Sequence, residues 1–266
     1  PSAKPHMGHA YSSIIADFFA RFKKIDGYNV SFLTGTDEHG LKIQRAAEKK
    51  GIETLKFCDE ISQTFRDLSK ILNLTNTDFI RTTEKRHKIS ASFFWEKLCE
   101  NNQIYKGNYK GWYSVKDESF YQEKELIKDG DNLKTQDGSL VEWIEEESFF
   151  FKLSSWESQL LELYDKNPDF IKPKSRLNEV KSFVRSGLKD LSVSRTSFNW
   201  GIKIPNSSNH IMYVWIDALT NYLTSIGYPN IKDNEMMHWK NCIHVIGKDI
   251  LKFHGVYWPA MLMAIK

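Results

Sequence analysis

Val30-Ser31-Phe32-Leu33-Thr34-Gly35-Thr36-Asp37-Glu38-His39-Gly40 runs from a short apolar stretch into a polar loop, and residues 41–50 follow with Gly51 behind them. Residues 30–33 read as a short buried strand. Residues 41–50 read as a helix stopped by glycine. Upstream, Ala10, Ile14, Phe18 and Phe22 recur every four residues, with Tyr11, Ile15 and Phe19 beside them, so a helix with one broad apolar face is expected over residues 6–24, ended by Asp26-Gly27. Downstream come a helix over 53–72, a strand over 78–82 and a helix over 84–102. Strands alternating with helices at this spacing predict an α/β fold, a doubly wound parallel sheet.

The texture changes near Tyr105. Residues 105–153 are rich in Tyr, Gly, Trp and acidic side chains, with turn signals at Asp129-Gly130 and Asp137-Gly138. That predicts antiparallel β structure. Ser154-Ser155-Trp156-Glu157 reads as a capping box opening a helix, and a second helix over 174–186 closes at Gly187. Residues 212–216 and 242–246 are expected to be short apolar strands, each followed by a helix. The expected division is an α/β core over 1–104 and 211–266, split by a mixed α+β insertion over 105–210.

The chain has 266 residues, 41% hydrophobic and 27% charged, long enough for a sizeable core and too apolar for wholesale disorder. No apolar run approaches the roughly 20 residues of a spanning helix, so no membrane is expected as partner. The net charge of +3 is too weak to indicate nucleic acid by itself, and no DNA partner is expected. Cys58, Cys99 and Cys242 are far apart and form no C-x-x-C, which points to a reducing compartment without disulfides or a cysteine zinc site. The chain opens on Pro1 and stops mid-pattern, so a piece of a longer polypeptide is expected.

Four stretches carry chemistry. Pro5-His6-Met7-Gly8-His9 heads a helix, where unpaired N–H groups suit phosphate. Gly8 lets a flat ring lie against the backbone, and two imidazoles three residues apart share a face. Cap residues or half a metal site are the plainer alternatives. Asp37, at a strand's carboxyl end, is placed to hold an ammonium group or to cap the next helix. Trp215, Ala218 and Tyr222 group into a slot for a slim apolar side chain, or into core. In Gly247-Lys248-Asp249-Ile250-Leu251-Lys252-Phe253-His254, Asp249 suits ribose hydroxyls, while Ile250 and His254 share a face.

In this order, around this insertion, the four stretches resemble the catalytic domain of the methionyl-tRNA synthetases, class I aminoacyl-tRNA synthetases. His6-Met7-Gly8-His9 resembles the H-x-G-H signature, with Met7 where Ile or Leu is usual. Gly35-Thr36-Asp37-Glu38-His39-Gly40, Trp215-Ile216-Asp217-Ala218 and Gly247-Lys248-Asp249-Ile250 resemble the methionine-specific members. The resemblance implies ATP, accompanied by Mg2+, bound by His6, Gly8, His9, Gly247 and Asp249. It implies catalytic roles for His6, His9 and Arg195, the last reaching the site from the insertion. L-methionine would be held by Asp37 at its amino group and by Trp215, Ala218, Tyr222, Ile250 and His254 at its side chain. The implied products are methionyl-adenylate and pyrophosphate, followed by transfer to the 3′ end of tRNA(Met), in the cytoplasm or an organellar matrix.

The departures from the family pattern define further expectations. Many members carry a cysteine zinc knuckle where this chain has Trp112-Tyr113-Ser114-Val115-Lys116-Asp117-Glu118-Ser119-Phe120-Tyr121, so a zinc-free insertion with no metal site is expected. The K-M-S-K-S loop, the first strand and the anticodon-binding domain are not found in the chain, and it is expected to be inactive alone. The basic side chains Lys172, Lys174, Arg176, Lys181, Arg185 and Lys189 suit acceptor-stem phosphates or a solvated helix face. A cysteinyl relative lacks its zinc ligands here, and a Rossmann dehydrogenase lacks G-x-G-x-x-G. A synthetase-like nucleotide- or RNA-binding module without catalysis is the remaining alternative.

Overall fold

A computed structural model describes every residue except Glu118, Gln122, Asp131 and Ser208, and every side chain except theirs and those of Ser119, Phe120 and Lys124. Glu118, part of the cysteine-free stretch, therefore lies outside the described residues. Helix α1 (Met7–Ile25) begins and ends where its pattern predicts. Its apolar face is not what seats it: Tyr11, Phe18 and Phe22 are exposed, while Asp17 and Ala20 are buried. Asp17 accepts from the Thr75 N–H and hydroxyl at 2.7 Å each and from Arg21 at 2.6 Å. Those bonds hold its carboxyl below the usual range against the opposing effect of burial.

Strand β1 (Leu33–Thr36) pairs in parallel with β2 (Asp78–Arg81), Leu33 opposite Asp78 and Thr36 opposite Arg81. The expected strand over 30–33 thus lies three residues later. Between β1 and β2 lie α2 (Leu41–Lys50) and α3 (Thr54–Ile71), which bury Ile43, Ala47, Phe57 and Ile61 against each other. Glu53 caps α3 by accepting from the N–H groups of Leu55 and Lys56. Helix α4 (Lys85–Glu100) follows and inserts Ala91, Phe94, Trp95 and Leu98 into the main core. Full burial of each large side chain there contributes about 1.5–3 kcal/mol.

The antiparallel expectation holds. Strand β3 (Ile104–Ser114) pairs along its length with β7 (Glu142–Phe151), and β4 (Ser119–Tyr121) and β8 (Leu191–Ser192) flank the pair. Strands β5 (Ile127–Asp129) and β6 (Asn132–Lys134) form a hairpin across the Asp129-Gly130 turn. Tyr105, Phe150 and Tyr109 stack along one face, and Trp112 meets Trp143 edge-on at 5.2 Å. Helices α5 (Glu157–Lys166) and α6 (Lys174–Arg185) pack against each other.

Three local expectations fail. No capping box opens α5: the Ser154 hydroxyl donates to Asp190 at 2.6 Å, and Glu157 accepts from the Leu188 N–H. Both side chains serve tertiary bonds instead. Residues 212–216 are not one strand. Only β10 (Ile211–Met212) pairs, with β9 (Ser194–Arg195), and α7 (Val214–Thr224) starts two residues on. Residues 242–246 form no strand, because no neighbouring ladder takes up their backbone groups among the described residues. Beyond α8 (Asp233–Lys240), a 3₁₀ turn at Lys248–Ile250 leads through a π-helical turn at Phe253–Tyr257 into α9 (Trp258–Ala264). The α/β class stands, with a parallel pair beside antiparallel sheets.

Candidate active site

His6 is the N-cap of α1, and its Nδ1 accepts from the Gly8 N–H at 3.0 Å. His9 returns the arrangement: its Nδ1 accepts from the His6 N–H at 3.1 Å. A backbone N–H can only donate, so both Nδ1 atoms are unprotonated and each neutral ring carries its hydrogen on Nε2. Two N–H donors therefore lie at the helix's positive end, on rings 4.0 Å apart. Burial, with His6 nearby, pulls the His9 pKa below its ordinary value, which keeps the ring neutral. Gly8 is needed because a Cβ would stand 2.9 Å from the His6 ring, so it is the chain's own imidazole that lies on this glycine.

The loop after β1 divides its labour. Glu38 is buried and accepts from Thr36 at 2.8 Å and Arg81 at 2.7 Å, so it braces the loop. Gly40 turns the chain at φ +109°, a conformation that favours glycine. Its N–H donates to Trp200. Asp37 is left open to a cleft whose walls include His39, Ile43, Val214, Trp215 and Ala218. The protein packed around this cleft, with Asp217 and Glu38 near, raises the Asp37 carboxyl above its usual range.

Behind the cleft lies an aromatic wall. Trp215 stacks on Phe253 at 3.7 Å and 9°, and His254 meets its edge at 6.3 Å. His254 Nδ1 lies 3.0 Å from the Ile250 carbonyl, which can only accept, so the hydrogen sits on Nδ1. Its Nε2 accepts from the Tyr222 hydroxyl at 2.8 Å. The π-helical turn places Phe253 and His254 side by side against this wall, a use such turns often have at sites. His244 packs on Tyr222 at 4.3 Å.

The structure therefore gathers Asp37, Trp215 and Ala218 in one cleft, with Tyr222, Ile250 and His254 bonded together behind Trp215. His6, Gly8 and His9 form a second group. Gly247 and Asp249 stand exposed at the 3₁₀ turn, and Asp249 has no ion pair among the described residues. No described contact joins them to the two histidines. Arg195 is buried away from both groups. It donates to Ser192 Oγ at 2.9 Å and the Ser194 carbonyl at 2.5 Å, and its guanidinium lies over the Tyr213 ring at 4.5 Å. Phe253, His244, His39 and His87 escaped sequence reasoning. Phe253 stood beside His254 in a quoted motif, but nothing in sequence marks His87, which lies mid-helix. Among the described residues, no group of three His, Cys, Asp or Glu is placed to hold a metal.

Burial, with His254 beside it, lowers the His244 pKa from 6.5 to about 4. The unfolded chain thus binds a proton below pH 6.5 that the folded protein refuses until about pH 4. Folding stability is full above the higher value and falls by about 3 kcal/mol between the two. Urea denaturation at pH 7 and pH 4.5 should show this loss in the full-length protein and a smaller one in His244→Phe.

The whole chain, residues 1–266, matches the family model of tRNA synthetases class I (M). A methionine–tRNA ligase of Rickettsia felis is 56% identical over 260 residues, covering 98% of this chain and 50% of that protein. One from Brucella melitensis is 51% identical over 265 residues, covering 99% and 52%. The crystal structure of Mycobacterium tuberculosis methionyl-tRNA synthetase bound by methionyl-adenylate superimposes with a TM-score of 0.98 at 48% identity, covering all of this chain and 53% of that one. The free form of the same organism's enzyme gives 0.86 at 45% identity, covering 99% of this chain and 51% of that one. The chain thus spans about half the length of the curated relatives it matches. With a model match along its whole length, the chain belongs to the class I tRNA synthetases (M).

Proposed function

We propose that the protein carrying this chain is a methionine–tRNA ligase. The observation that carries the reading is the cleft where Asp37, Trp215 and Ala218 meet, a carboxylate at the mouth of an aromatic slot. The carboxylate suits an ammonium group. The slot suits a thioether, since sulfur–aromatic contacts are worth about 0.3–1.5 kcal/mol. Tyr222, Ile250 and His254, bonded together behind Trp215, are assigned to the methionine side chain as well.

In the first step a methionine carboxylate oxygen attacks the α-phosphorus of ATP, and pyrophosphate leaves with the bonding electron pair. Charge grows on the phosphate oxygens. His6 and His9 supply preformed Nε2–H donors there, which cost no reorganisation. Gly247 and Asp249 are assigned to the adenosine, and Mg2+ arrives with the triphosphate as part of the substrate. In the second step a terminal ribose hydroxyl of tRNA(Met) attacks the methionyl carbonyl, and AMP leaves. Catalysis on this reading is mostly positioning and charge stabilisation.

Residues 1–104 and 211–266 are assigned to the catalytic core and 105–210 to the connective insertion. The insertion is read as zinc-free, its stacked aromatics supplying the packing. Arg195, expected to reach the site, is read instead as tying the insertion to Tyr213, one residue before α7, and so as supporting the site only through that helix. Of the basic side chains offered for the acceptor stem, Lys172, Arg176 and Lys181 already pair with Asp169, Glu179 and Asp165. Lys174, Arg185 and Lys189 are exposed, which leaves them as the better phosphate contacts. The bacterial relatives support a cytoplasmic setting.

ATP–pyrophosphate exchange, run on the full-length protein with each standard amino acid, tests the reading. Methionine alone should drive exchange. Silence with every amino acid would overturn it and favour a binding module without catalysis.

A further inference from the structure

The buried cluster of Asp217, His39 and His87 has no part in the chemistry set out above. Its members come from α7, the loop after β1 and α4. Asp217 Oδ2 meets His39 Nδ1 at 2.6 Å, and its Oδ1 meets His87 Nε2 at 2.6 Å. His87 is braced in turn by the Thr224 hydroxyl at 3.1 Å. Burial would raise the Asp217 carboxyl, yet the two imidazoles outweigh it and hold the pKa at about 2. An ionised carboxylate only accepts, so His39 must carry a hydrogen on Nδ1. In the neutral ring that leaves a lone pair on Nε2.

His39 also lines the cleft with Asp37. Its Nε2 has no hydrogen-bond partner among the described residues. The Trp200 ring packs 5.5 Å from the imidazole and limits its rotation. A purely structural cluster has no need of a residue that both lines the cleft and keeps an unpaired acceptor nitrogen. Had Asp217 been absent, the Nε2–H tautomer would be available, and it would point a donor at an incoming cation.

We propose that His39 is a second recognition group for the methionine ammonium, its Nε2 accepting one N–H beside the Asp37 carboxylate, with Asp217 as the positioning residue that sets the tautomer. The inference rests on reading the cleft as the methionine site. An ammonium carries three N–H groups, and one carboxylate does not fix their directions. Two acceptors on adjacent walls do. The pair would favour a primary ammonium over a potassium ion or a bulkier amine.

Two ligands separate this role from a structural one in the full-length protein. Methioninol keeps the ammonium and lacks the carboxylate; 4-(methylthio)butanoate lacks the ammonium. His39→Leu should weaken methioninol by about 10- to 100-fold, the range for a hydrogen bond to a charged group, and leave 4-(methylthio)butanoate unchanged in calorimetric titration. His39→Gln should restore methioninol binding, its amide N–H donating to Asp217 and its oxygen accepting from the ligand. Equal weakening of both ligands, or none, overturns the proposal. Nitrogen-15 histidine spectra of the unmodified protein add a readout that needs no variant. Methioninol should shift the His39 Nε2 resonance and leave Nδ1 nearly still, and an unmoved Nε2 overturns the proposal. If the unmodified protein binds neither methionine nor methioninol, the reading of the cleft itself has failed.

Discussion

On the proposed function, His9→Ala in the full-length protein should lower the rate of methionyl-adenylate formation by about 10²–10³-fold, the usual cost of removing one preorganised donor at a charge-developing oxygen. Methionine affinity should stay unchanged, because His9 does not line the cleft proposed for methionine. Two effects need separating. His9 Nδ1 also accepts from the His6 N–H, so alanine removes half of a reciprocal cap. A cap is worth about 1 kcal/mol, which is less than tenfold in rate even if all of it reached the transition state. His9→Asn resolves the rest. Its side-chain oxygen stands near the Nδ1 position and keeps the cap, but nothing replaces Nε2–H. Single-turnover kinetics should show both variants similarly slow, with thermal stability lowered only in the alanine variant. A His9→Asn enzyme at the unmodified rate would remove His9 from the chemistry.

Asp217→Leu should destabilise the protein by about 3–5 kcal/mol, the cost of removing one partner from a buried pair. Both imidazoles lose their acceptor at once, and His87 is completely buried. Asp217→Asn should cost less, since an amide can accept from one ring while presenting a donor to the other. Urea denaturation followed by tryptophan fluorescence measures both. A Leu variant within 1 kcal/mol of the unmodified protein, roughly the effect of an ordinary point mutation, would show that the cluster does not hold α4 and α7 together.

Much of the local structure around the candidate site is legible in the sequence. The start of α1 was readable because a helix start has a local signature and His6 caps by bonding its own next turn. The loop after β1 was readable because glycines and a run of polar residues end an apolar strand. The failures share a cause. Ser154 and Glu157 have capping-box spacing, but Asp190 and Leu188 compete for them from over thirty residues away. Residues 212–216 and 242–246 have strand composition, but a strand also needs a neighbour to bond. The apolar stripe of α1 is real, yet the residues that seat the helix are Asp17 and Thr75.

The sequence by itself determined the α/β class, the order of four strand- and helix-end motifs, and the residue types proposed for ATP and methionine. These follow from short-range periodicity, capping and turn chemistry, which act within a few residues of chain. Only the tertiary structure decided that Trp215 stacks on Phe253, that His254 holds its hydrogen on Nδ1, and that His39, His87 and Asp217 form one buried unit. His39 and Asp217 are 178 residues apart. Their bond is set by how α7 packs beside the β1 loop, and no local pattern encodes that distance.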